Sequence, residues 1–353
     1  MDAERLQNVV ARFPGCRIAV LGDFFLDRYL DVDPALAEVS LETGKSAHQV
    51  VSVRCSPGAA GTVVNNLAAL GAGRIHALGF TGDDGEGYEL RRGLEGLGCD
   101  VNGLLRLADR LTPTYLKPRD VRNPGLPGEH ERYDTKNRTP APLAAQERVL
   151  AHLARLLPDL DATIVVDQVE EAECGIVTER VRSRLARLGG VHPRKVFWAD
   201  SRCRIGLFRN VTAKVNAREA VREIFGDRAD AGHDTIVRRA TVELGRRIGK
   251  PVFVTAGSRG IWVGDPVATL VPAVRVAEPT DPTGAGDSAT AGAVLALCAG
   301  ASLQEAALVA NLVASVTIQQ LATTGIARPA DLGPRLEMWR TQMKGDEDDA
   351  VRD

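Results

Sequence analysis

Short apolar runs alternate with amphipathic helical patterns over most of this 353-residue chain. The apolar runs lie at 17–23, 75–79, 162–167, 195–200 and 251–255. The helical patterns lie at 62–70, 88–97, 144–157, 177–188, 217–225 and 234–248. Because continuous apolar runs are typical of strands that are buried on both faces, this alternation predicts an α/β fold with a doubly wound, mostly parallel sheet.

Two segments, at 29–56 and 104–134, interrupt the alternation. The first contains an extended pattern at 49–54, and the second contains one at 114–117 before a loop rich in proline and glycine. We expect both segments to be hairpins inserted into the α/β frame, forming a small β-lid over a binding site. Surface hairpins without a gating role are the alternative.

The chain therefore divides into a core, an insert and a tail. The predicted α/β core comprises residues 1–28, 57–103 and 135–335. Residues 336–353 form a C-terminal tail, and we expect its acidic end to be disordered, because charge-rich segments bury too little apolar surface to fold.

The composition argues against several classes of partner. The formal net charge is -2 and aromatic residues make up 4% of the chain, so nothing favours a nucleic-acid surface. No run of about 18 apolar residues could span a membrane. The six cysteines include no Cys-x-x-Cys pair, the six histidines show no metal-ligand spacing, and the N-terminus lacks the pattern of a signal peptide. We therefore expect reduced thiols and a cytoplasmic location.

The most informative motif is Asp-Pro-Thr-Gly-Ala-Gly-Asp-Ser at 281–288, which precedes a helical run of small residues. The proline and glycines predict a turn, after which the first backbone N–H groups of the helix lack acceptors and attract an anion. A carboxylate at Asp287 would repel a resting phosphate. We therefore expect Asp287 to take a proton from a hydroxyl while the N–H groups hold the phosphate under attack. A plain helix start with an acidic first turn is the alternative.

Two motifs near the N-terminus are suited to a polar ligand. Asp23 and Asp27 follow the first predicted strand, where carboxylates can accept hydrogen bonds from vicinal sugar hydroxyls. A loop of small residues at 57–61 then opens a helix, and small residues let the backbone approach a ligand closely.

Two further motifs lie in the second half of the chain. Asn216 and Glu219 are three residues apart at a predicted helix start, so their side chains lie on one face. Residues 255–260 follow a strand and contain two glycines and two hydroxyls, which predicts a loop for nucleotide phosphates.

This ordered set resembles the ribokinase-like (PfkB) carbohydrate kinase family over residues 15–330. Asp-Pro-Thr-Gly-Ala-Gly-Asp is similar to the C-terminal signature of the family, and Pro-Gly-Ala-Ala-Gly, with the Asn and Leu-Gly that follow, resembles its N-terminal glycine signature. The Gly-Asp-x-x-Leu-Asp-Arg-Tyr and Asn-Asn-Leu-Ala-Ala-Leu-Gly segments look most like the heptose-phosphate kinase domain of bacterial lipopolysaccharide precursor synthesis. The resemblance implies a ribokinase-like fold with a β-lid and transfer of phosphate from ATP to an alcohol group of a carbohydrate.

The resemblance also implies a role for each matching residue. The catalytic set is Asp287 as base, with Gly284, Ala285 and Gly286 as anion hole. The matches on the ATP side are Asn216, Glu219, Thr255, Gly257, Gly260 and Asn311, the first two organising Mg²⁺ and phosphate through water without binding the metal directly. The matches on the sugar side are Asp23, Asp27, Gly58, Ala59 and Asn66.

Several of these side chains also have a structural interpretation. The alternatives are a turn cap for Asp23, a pair with Arg28 or another surface cation for Asp27, a helix-surface amide for Asn66, an N-cap for Asn216, a dipole partner for Glu219 and an ordinary helix position for Asn311. The resemblance leaves a monovalent-cation requirement open. Because lid strands would have exposed edges, we expect a homodimer. The ligand that the resemblance implies is a small-molecule sugar or sugar-like alcohol.

Four departures from the family pattern concern the sugar and phosphate ends. Ala59 replaces the second glycine of the N-terminal signature, and Thr62 replaces an asparagine. The Asp-Tyr-x-Lys-Gly run of the heptose-kinase-like proteins reads Asp-Gln-Val-Glu-Glu at 167–171, and their Asp-Pro-Lys reads Asp-Ser-Arg at 200–202. Because acids replace a lysine there, we expect a neutral sugar or sugar-like alcohol rather than a phosphorylated acceptor, with Arg202 available for a phosphate contact.

Two other functions remain open. A nucleoside kinase of the same superfamily would stack a base on an aromatic ring, and the lid segments carry Tyr29, Tyr115 and Tyr133. A non-catalytic sugar- or nucleotide-sensing protein could keep the fold while its sugar motif changed. The intact 284–287 motif opposes that alternative, because a sensor needs no base.

Overall fold

The structure is a computed structural model that describes residues 1–123, 126–321 and 324–350. The strands are β1 Arg17–Gly22, β2 Phe24–Val32, β3 Glu38–Val39, β4 Ser46–Ala47, β5 Val50–Ala59, β6 Arg74–Gly82, β7 Asp100–Leu107, β8 Thr114–Asp120, β9 Tyr133–Thr135, β10 Ala162–Asp167, β11 Val196–Ser201, β12 Thr212–Asn216, β13 Val252–Thr255, β14 Gly260–Gly264 and β15 Ala268–Pro272. The α-helices are α1 Ala3–Val10, α2 Ala60–Ala69, α3 Gly85–Gly96, α4 Leu143–Leu156, α5 Glu179–Val191, α6 Ala217–Phe225, α7 Asp234–Ile248, α8 Ala285–Cys298, α9 Leu303–Thr317 and α10 Pro329–Ala350. Short 3₁₀ turns span Phe13–Gly15, Pro34–Leu36, Leu126–Gly128, Leu157–Asp159, Ile205–Leu207 and Gly257–Arg259.

A nine-stranded sheet forms the centre of the molecule, in the order β15-β14-β13-β12-β11-β10-β1-β6-β7. The strands from β13 to β7 pair in parallel, while β14 and β15 add an antiparallel hairpin at one edge. All six residues of β10 are buried, as expected for a strand with helices on both faces. The predicted doubly wound α/β fold is confirmed.

Two apolar cores lie on opposite faces of this sheet. Ile18 and Val20 of β1 face one core, which also contains the buried faces of α2, α8 and α9. Ala19 and Leu21 face the other core, which contains residues of α4, α5 and α7. The alternation along β1 follows from the two-residue period of a strand. The carboxyl ends of the parallel strands lie between these two packed layers. In folds of this kind, ligands bind at that edge of the sheet.

A second sheet of four strands, in the order β5-β2-β8-β9, lies beside the central sheet. Its strands come from the two predicted inserts, but β2 begins at Phe24 rather than at residue 29. Residues 104–107 belong to β7 of the central sheet, so the second insert contributes only from β8 onward. We call this four-stranded sheet the lid sheet. Its role as a gate stays a prediction.

The expected disorder of the acidic end of the chain stays a prediction. Helix α10 continues to Ala350, and residues 351–353 lie outside the described part of the chain. Within the described ranges no helix is both long and apolar enough to cross a membrane.

Candidate active site

The turn that the sequence predicted to bind an anion lies at the start of α8. Gly284 precedes the helix with φ 75°, a left-handed conformation that glycine adopts at no steric cost. The N–H of Ala285 donates to the Pro282 carbonyl at 3.1 Å. The next two N–H groups, of Gly286 and Asp287, have no acceptor among the described residues. These two donors and the positive end of the helix dipole are the elements of an anion hole.

The turn before the hole is fixed by buried hydrogen bonds. The Asp281 carboxylate accepts from the Thr283 N–H at 2.9 Å, and the Asp281 N–H donates to the Ile318 carbonyl at 2.7 Å. One turn into α8, the hydroxyls of Ser288 and Thr317 lie 2.9 Å apart. These contacts tie the turn to the end of α9 and hold the N–H groups of the hole in place.

Asp287 lies in the first turn of α8, half-buried, with its carboxylate among other charges. Burial raises the pKa of Asp287 to about 7, because it disfavours the charged form, and the carboxylates of Asp200 and Asp27 add to the rise. The nearby ammonium of Lys214 acts in the opposite direction. A carboxylate with a pKa near neutrality beside an anion hole is suited to general-base chemistry.

Lys214 and Asp200, which the sequence analysis did not assign to the reaction, form a buried ion pair at this site. The Lys214 Nζ lies 2.5 Å from the Asp200 Oδ2, and both residues are more than 90% buried. Burial lowers the pKa of Lys214, but the attraction of Asp200 and Asp287 outweighs it and leaves the pKa raised. A Cβ added at Gly286 would lie 2.8 Å from the Lys214 Nζ, so the ammonium faces the hole directly.

The residues that the resemblance assigns to the sugar lie on the lid sheet and around the start of α2. Asp27 of β2 is 5% exposed, and its Oδ1 pairs with the Lys117 Nζ of β8 at 2.9 Å. Its Oδ2 would lie 2.7 Å from a Cβ added at Gly58, so the glycine leaves room for the carboxylate. The cationic partner considered for Asp27 is thus present, and it comes from the neighbouring lid strand.

Ala59 occupies a backbone conformation that normally requires glycine. Its φ is 51° and its ψ is -116°, at the junction of β5 and α2. A Cβ in this region collides with the flanking peptide groups, at a cost of about 1 to 3 kcal/mol. The departure from the family's second glycine therefore stores strain beside the sugar-facing loop.

Replacement of Ala59 with glycine is expected to stabilise the protein by about 1 kcal/mol, because relief of the strain exceeds the entropy that glycine adds to the unfolded chain. Urea denaturation would show a higher midpoint with an unchanged slope. Ala60→Gly is the matched control, since Ala60 is the first residue of α2 and its change to glycine should lower stability. A loss of stability in both variants would contradict this account.

Asp23 and Asn66 are buried, and their side chains already form hydrogen bonds with other parts of the protein, which the predicted sugar contacts did not indicate. The Asp23 carboxylate accepts from the N–H groups of Gln168, Val169 and Ile176 at 2.9 to 3.0 Å, which fixes the loop after β10. Burial, followed by the charge of Asp167, raises the pKa of Asp23 to about 6. Asn66 is fully buried, and its amide donates to the Thr62 carbonyl while its Oδ1 has no donor among the described groups. Both sugar contacts remain predictions, and Asn66 is not the helix-surface amide of the alternative.

A cleft of about 390 Å³ lies on the other side of the anion hole. It is lined by Thr255, Gly257, Ser258, Gly260, Ala285, Gly286 and Asn311, among others. This volume is within the range of small-molecule sites. Gly260 has φ 114°, and a Cβ there would lie 2.1 Å from the Val271 carbonyl, so only glycine fits. The Asn311 amide donates to the carbonyls of Val271 and Pro272 at 3.0 Å, which places it in the cleft wall.

Asn216 and Glu219 form a capping box at the start of α6. The Asn216 Oδ1 accepts from the Glu219 N–H at 2.8 Å, and the Glu219 Oε2 accepts from the Asn216 N–H at 2.9 Å. The structural alternative for Asn216, an N-cap, is therefore observed. Burial raises the pKa of Glu219, although Lys214 opposes the shift. The effect of Lys214 shows that this carboxylate shares the electrostatic environment of the anion hole.

An α/β sheet with a lid sheet, an anion hole and a carboxylate of raised pKa is the arrangement expected of a small-molecule phosphotransferase. The sequence profile of the pfkB family carbohydrate kinases matches residues 18–173 and 210–330. The chain belongs to this family, as its motifs predicted.

Curated relatives and solved structures agree with this assignment. The bifunctional protein HldE of Citrifermentans bemidjiense is 27% identical over 93% of this chain, and HldE of Shewanella amazonensis is 30% identical over 90%. The chain covers 65% and 63% of the length of these two relatives. The ribokinase of Cryptococcus neoformans in complex with ADP superposes with a TM-score of 0.65 at 18% identity, covering 91% of this chain and 99% of the ribokinase. Phosphofructokinase-2 of Escherichia coli superposes with a TM-score of 0.67 at 15% identity, covering 92% and 99%. The predicted ribokinase-like fold is confirmed.

Proposed function

We propose that this kinase transfers the γ-phosphoryl group of ATP to a hydroxyl of a sugar or sugar-like alcohol, with Asp287 as the general base. The observation that carries the proposal is the position of Asp287: its own N–H and that of Gly286 have no acceptor among the described residues, and burial raises the pKa of its carboxyl group to about 7. ATP would occupy the cleft lined by Thr255, Gly257 and Asn311. The acceptor would lie on the opposite side of the hole, toward Asp27 and the lid sheet.

In this arrangement the reaction is a single displacement. The acceptor oxygen forms a bond to the γ-phosphorus while the bond from that phosphorus to the bridging oxygen of ADP breaks. The hydroxyl proton passes to the Asp287 carboxylate, and the N–H groups of Gly286 and Asp287 hold the equatorial oxygens of the phosphoryl group. The lid sheet would exclude water from the acceptor and so limit hydrolysis of ATP.

The residues near the hole fit Mg²⁺ held by phosphate and water. Among the described residues no group of three or more His, Cys, Asp or Glu side chains could hold a metal ion alone. The half-buried Glu219 keeps its Oε1 without a hydrogen-bond donor in the described ranges, which suits a water of a hydrated cation. Bound Mg²⁺ would neutralise charge on the β- and γ-phosphates. Glu219, oriented by the Asn216 cap, would hold that hydrated ion against the site.

The charge of the acceptor pocket is more balanced than the sequence suggested. Glu170 and Glu171, two of the acids that follow β10, are paired with cations. Glu170 lies 3.0 Å from Arg202, and Lys136 lies 3.7 and 3.8 Å from the two glutamates. The preference for a neutral acceptor therefore rests on the missing lysine and remains a proposal.

The two alternative functions have less support. A nucleoside kinase needs an aromatic face free for a base, but Tyr115 packs against Phe25 at 5.0 Å and under the Arg132 guanidinium at 4.3 Å. Tyr29 is 7% exposed and contacts Arg54 and Lys117. Tyr133 is 63% exposed, so of the three tyrosines it is the one whose ring could still stack on a base. A sensing protein would not need a carboxylate of raised pKa at the hole.

The experiment that tests the proposal measures ADP release from Mg-ATP across pentoses, hexoses, heptose phosphates and nucleosides, with K⁺ or Na⁺ as the monovalent cation. One strong acceptor would support the kinase and name its substrate. A nucleoside as the strongest acceptor would establish the first alternative. Measurable ATP binding with no acceptor in the panel would favour the sensing function.

The rate of transfer is expected to fall as the pH drops below about 7. A base acts only when deprotonated, and the raised pKa of Asp287 means that its protonated fraction grows through this range. The logarithm of kcat/KM should therefore rise with pH at a slope of one and level off above neutrality. A profile that stays flat down to about pH 5 would contradict the role of Asp287.

We expect a homodimer that pairs through the lid sheets. β5 lies at the edge of the lid sheet and exposes Val50, Val51 and Val53, each 45% to 52% exposed. Light scattering after size exclusion would report the mass, and Val51→Lys is expected to lower it to that of one chain, because a charged edge opposes strand pairing. A wild-type protein that is monomeric at high concentration would contradict this expectation.

A further inference from the structure

Lys214 is a buried cation at the anion hole for which the fold alone gives no complete account. It follows Ala213 in β12, a central strand whose neighbours on both sides are buried and apolar. Its Nζ is 2.5 Å from the Asp200 Oδ2 and would lie 2.8 Å from a Cβ added at Gly286. The ammonium therefore lies between the sheet and the first turn of α8.

The hydrogen-bonding capacity of this ammonium is only partly used. A lysine carries three N–H donors. One donates to Asp200, and the described part of the chain offers the other two no acceptor. Since a buried donor without a partner costs free energy, the two remaining N–H groups indicate a ligand with acceptor oxygens.

The charges around the ammonium indicate the same kind of ligand. Asp200 from β11, Asp287 from α8 and Glu219 from α6 all act electrostatically on Lys214, and Asp27 from the lid sheet acts on Asp287. Asp27 has its own cation in Lys117, which leaves Lys214 as one cation facing the three carboxylates of Asp200, Asp287 and Glu219, at the place where the phosphates of ATP would add further negative charge. In phosphoryl transfer the equatorial oxygens carry negative charge, which a positively charged group beside them stabilises.

We propose that Lys214 is a catalytic residue whose ammonium contacts the transferring phosphoryl group in the anion hole, beside the N–H groups of Gly286 and Asp287. This inference rests on the proposed function. Lys214 keeps its proton throughout, while the acceptor proton passes to Asp287 and the γ-phosphorus moves from ADP to the acceptor oxygen. By attracting the ionised Asp287, the same ammonium keeps the base available near neutral pH.

The test compares Lys214→Met with Lys214→Arg, which keeps the charge. We expect Lys214→Met to lower kcat by about 10² to 10³ and Lys214→Arg to retain part of the rate. Binding provides a second readout: the affinity for a non-hydrolysable Mg-ATP analogue should fall at least about tenfold in Lys214→Met, while that for Mg-ADP stays within about threefold, because only the analogue carries a γ-phosphoryl group.

The pH profile separates this role from a structural one. Removing the cation should move the acidic limb of kcat/KM to higher pH, whereas Asp200→Asn, which removes a repelling anion, should move it lower. The double variant Lys214→Met with Asp200→Asn avoids an unpaired buried carboxylate, so it tests the role even if the single variant does not fold. An unchanged limb and equal losses of affinity for analogue and ADP would overturn the inference.

These readouts also separate the inference from the proposed function. Analogue binding needs no acceptor, so it can be measured even if no alcohol is phosphorylated. A wild-type protein without transfer activity, but with a Lys214-dependent preference for the analogue, would refute the kinase mechanism and leave the phosphate contact supported.

Discussion

Replacement of Asp287 with asparagine is expected to lower kcat by about 10² to 10⁴, the range that a positioned general base supplies. The amide keeps the size of the side chain but cannot accept the acceptor's proton. The affinity for Mg-ATP should stay within about threefold, because the cleft proposed for ATP is lined by residues of β13 and α9 and by the glycines of the 257–260 turn and not by the Asp287 side chain. The rate of ADP release would give kcat, and calorimetric titration with Mg-ATP would give the affinity.

Asp265→Asn is the matched control for this variant. Asp265 is exposed in the turn between β14 and β15, at the end away from Gly260, and the same change there should leave turnover unaltered. Full activity in Asp287→Asn would contradict the assignment of the base. Loss of both turnover and Mg-ATP binding would instead indicate a disrupted anion hole.

Replacement of Gly286 with alanine is expected to lower kcat by about 10² while leaving stability nearly unchanged. The new methyl group would lie 2.8 Å from the Lys214 Nζ, so the flexible end of the lysine must move away from the hole. Helical backbone accepts alanine readily at this position. Steady-state kinetics and thermal unfolding would measure the two effects.

Gly96→Ala provides the control, because a Cβ at this glycine near the end of α3 meets nothing within 4 Å. It should change neither turnover nor binding. A Gly286→Ala protein with the turnover of the wild type would show that the space between Gly286 and Lys214 does not matter for the reaction. A large fall in its melting temperature would mean that the backbone of α8 had shifted rather than the lysine.

The sequence predicted those parts of the structure that depend on local pattern. The bounds of α6 and α7 agree with the predicted 217–225 and 234–248, since their apolar periods and caps are local signals. The same holds for the turn before α8, where proline and glycine restrict the backbone. The family motifs then placed Asp287 at this turn, and the structure adds the charges that surround it.

Features that depend on contacts between distant parts of the chain were not predicted from the sequence. β12 carries a charged residue within its apolar pattern, and it is buried because Asp200 of the neighbouring strand neutralises Lys214. A lone lysine between apolar residues, two positions before the Asn216 cap, was the available signal. The sequence suggested that the Asp23 carboxylate is free to bind a ligand. Its hydrogen-bond donors instead come from a loop about 145 residues later in the chain, which no local pattern indicates.

Phosphorus NMR of a reaction with Mg-ATP and the strongest acceptor can follow directly whether the acceptor hydroxyl attacks the γ-phosphate beside Asp287. We expect a phosphomonoester signal of the acceptor to grow as the γ-phosphate signal disappears, and we expect Asp287→Asn to abolish that signal on the same time scale. Release of inorganic phosphate without a phosphorylated acceptor, or a phosphomonoester formed equally fast by Asp287→Asn, would refute this attack.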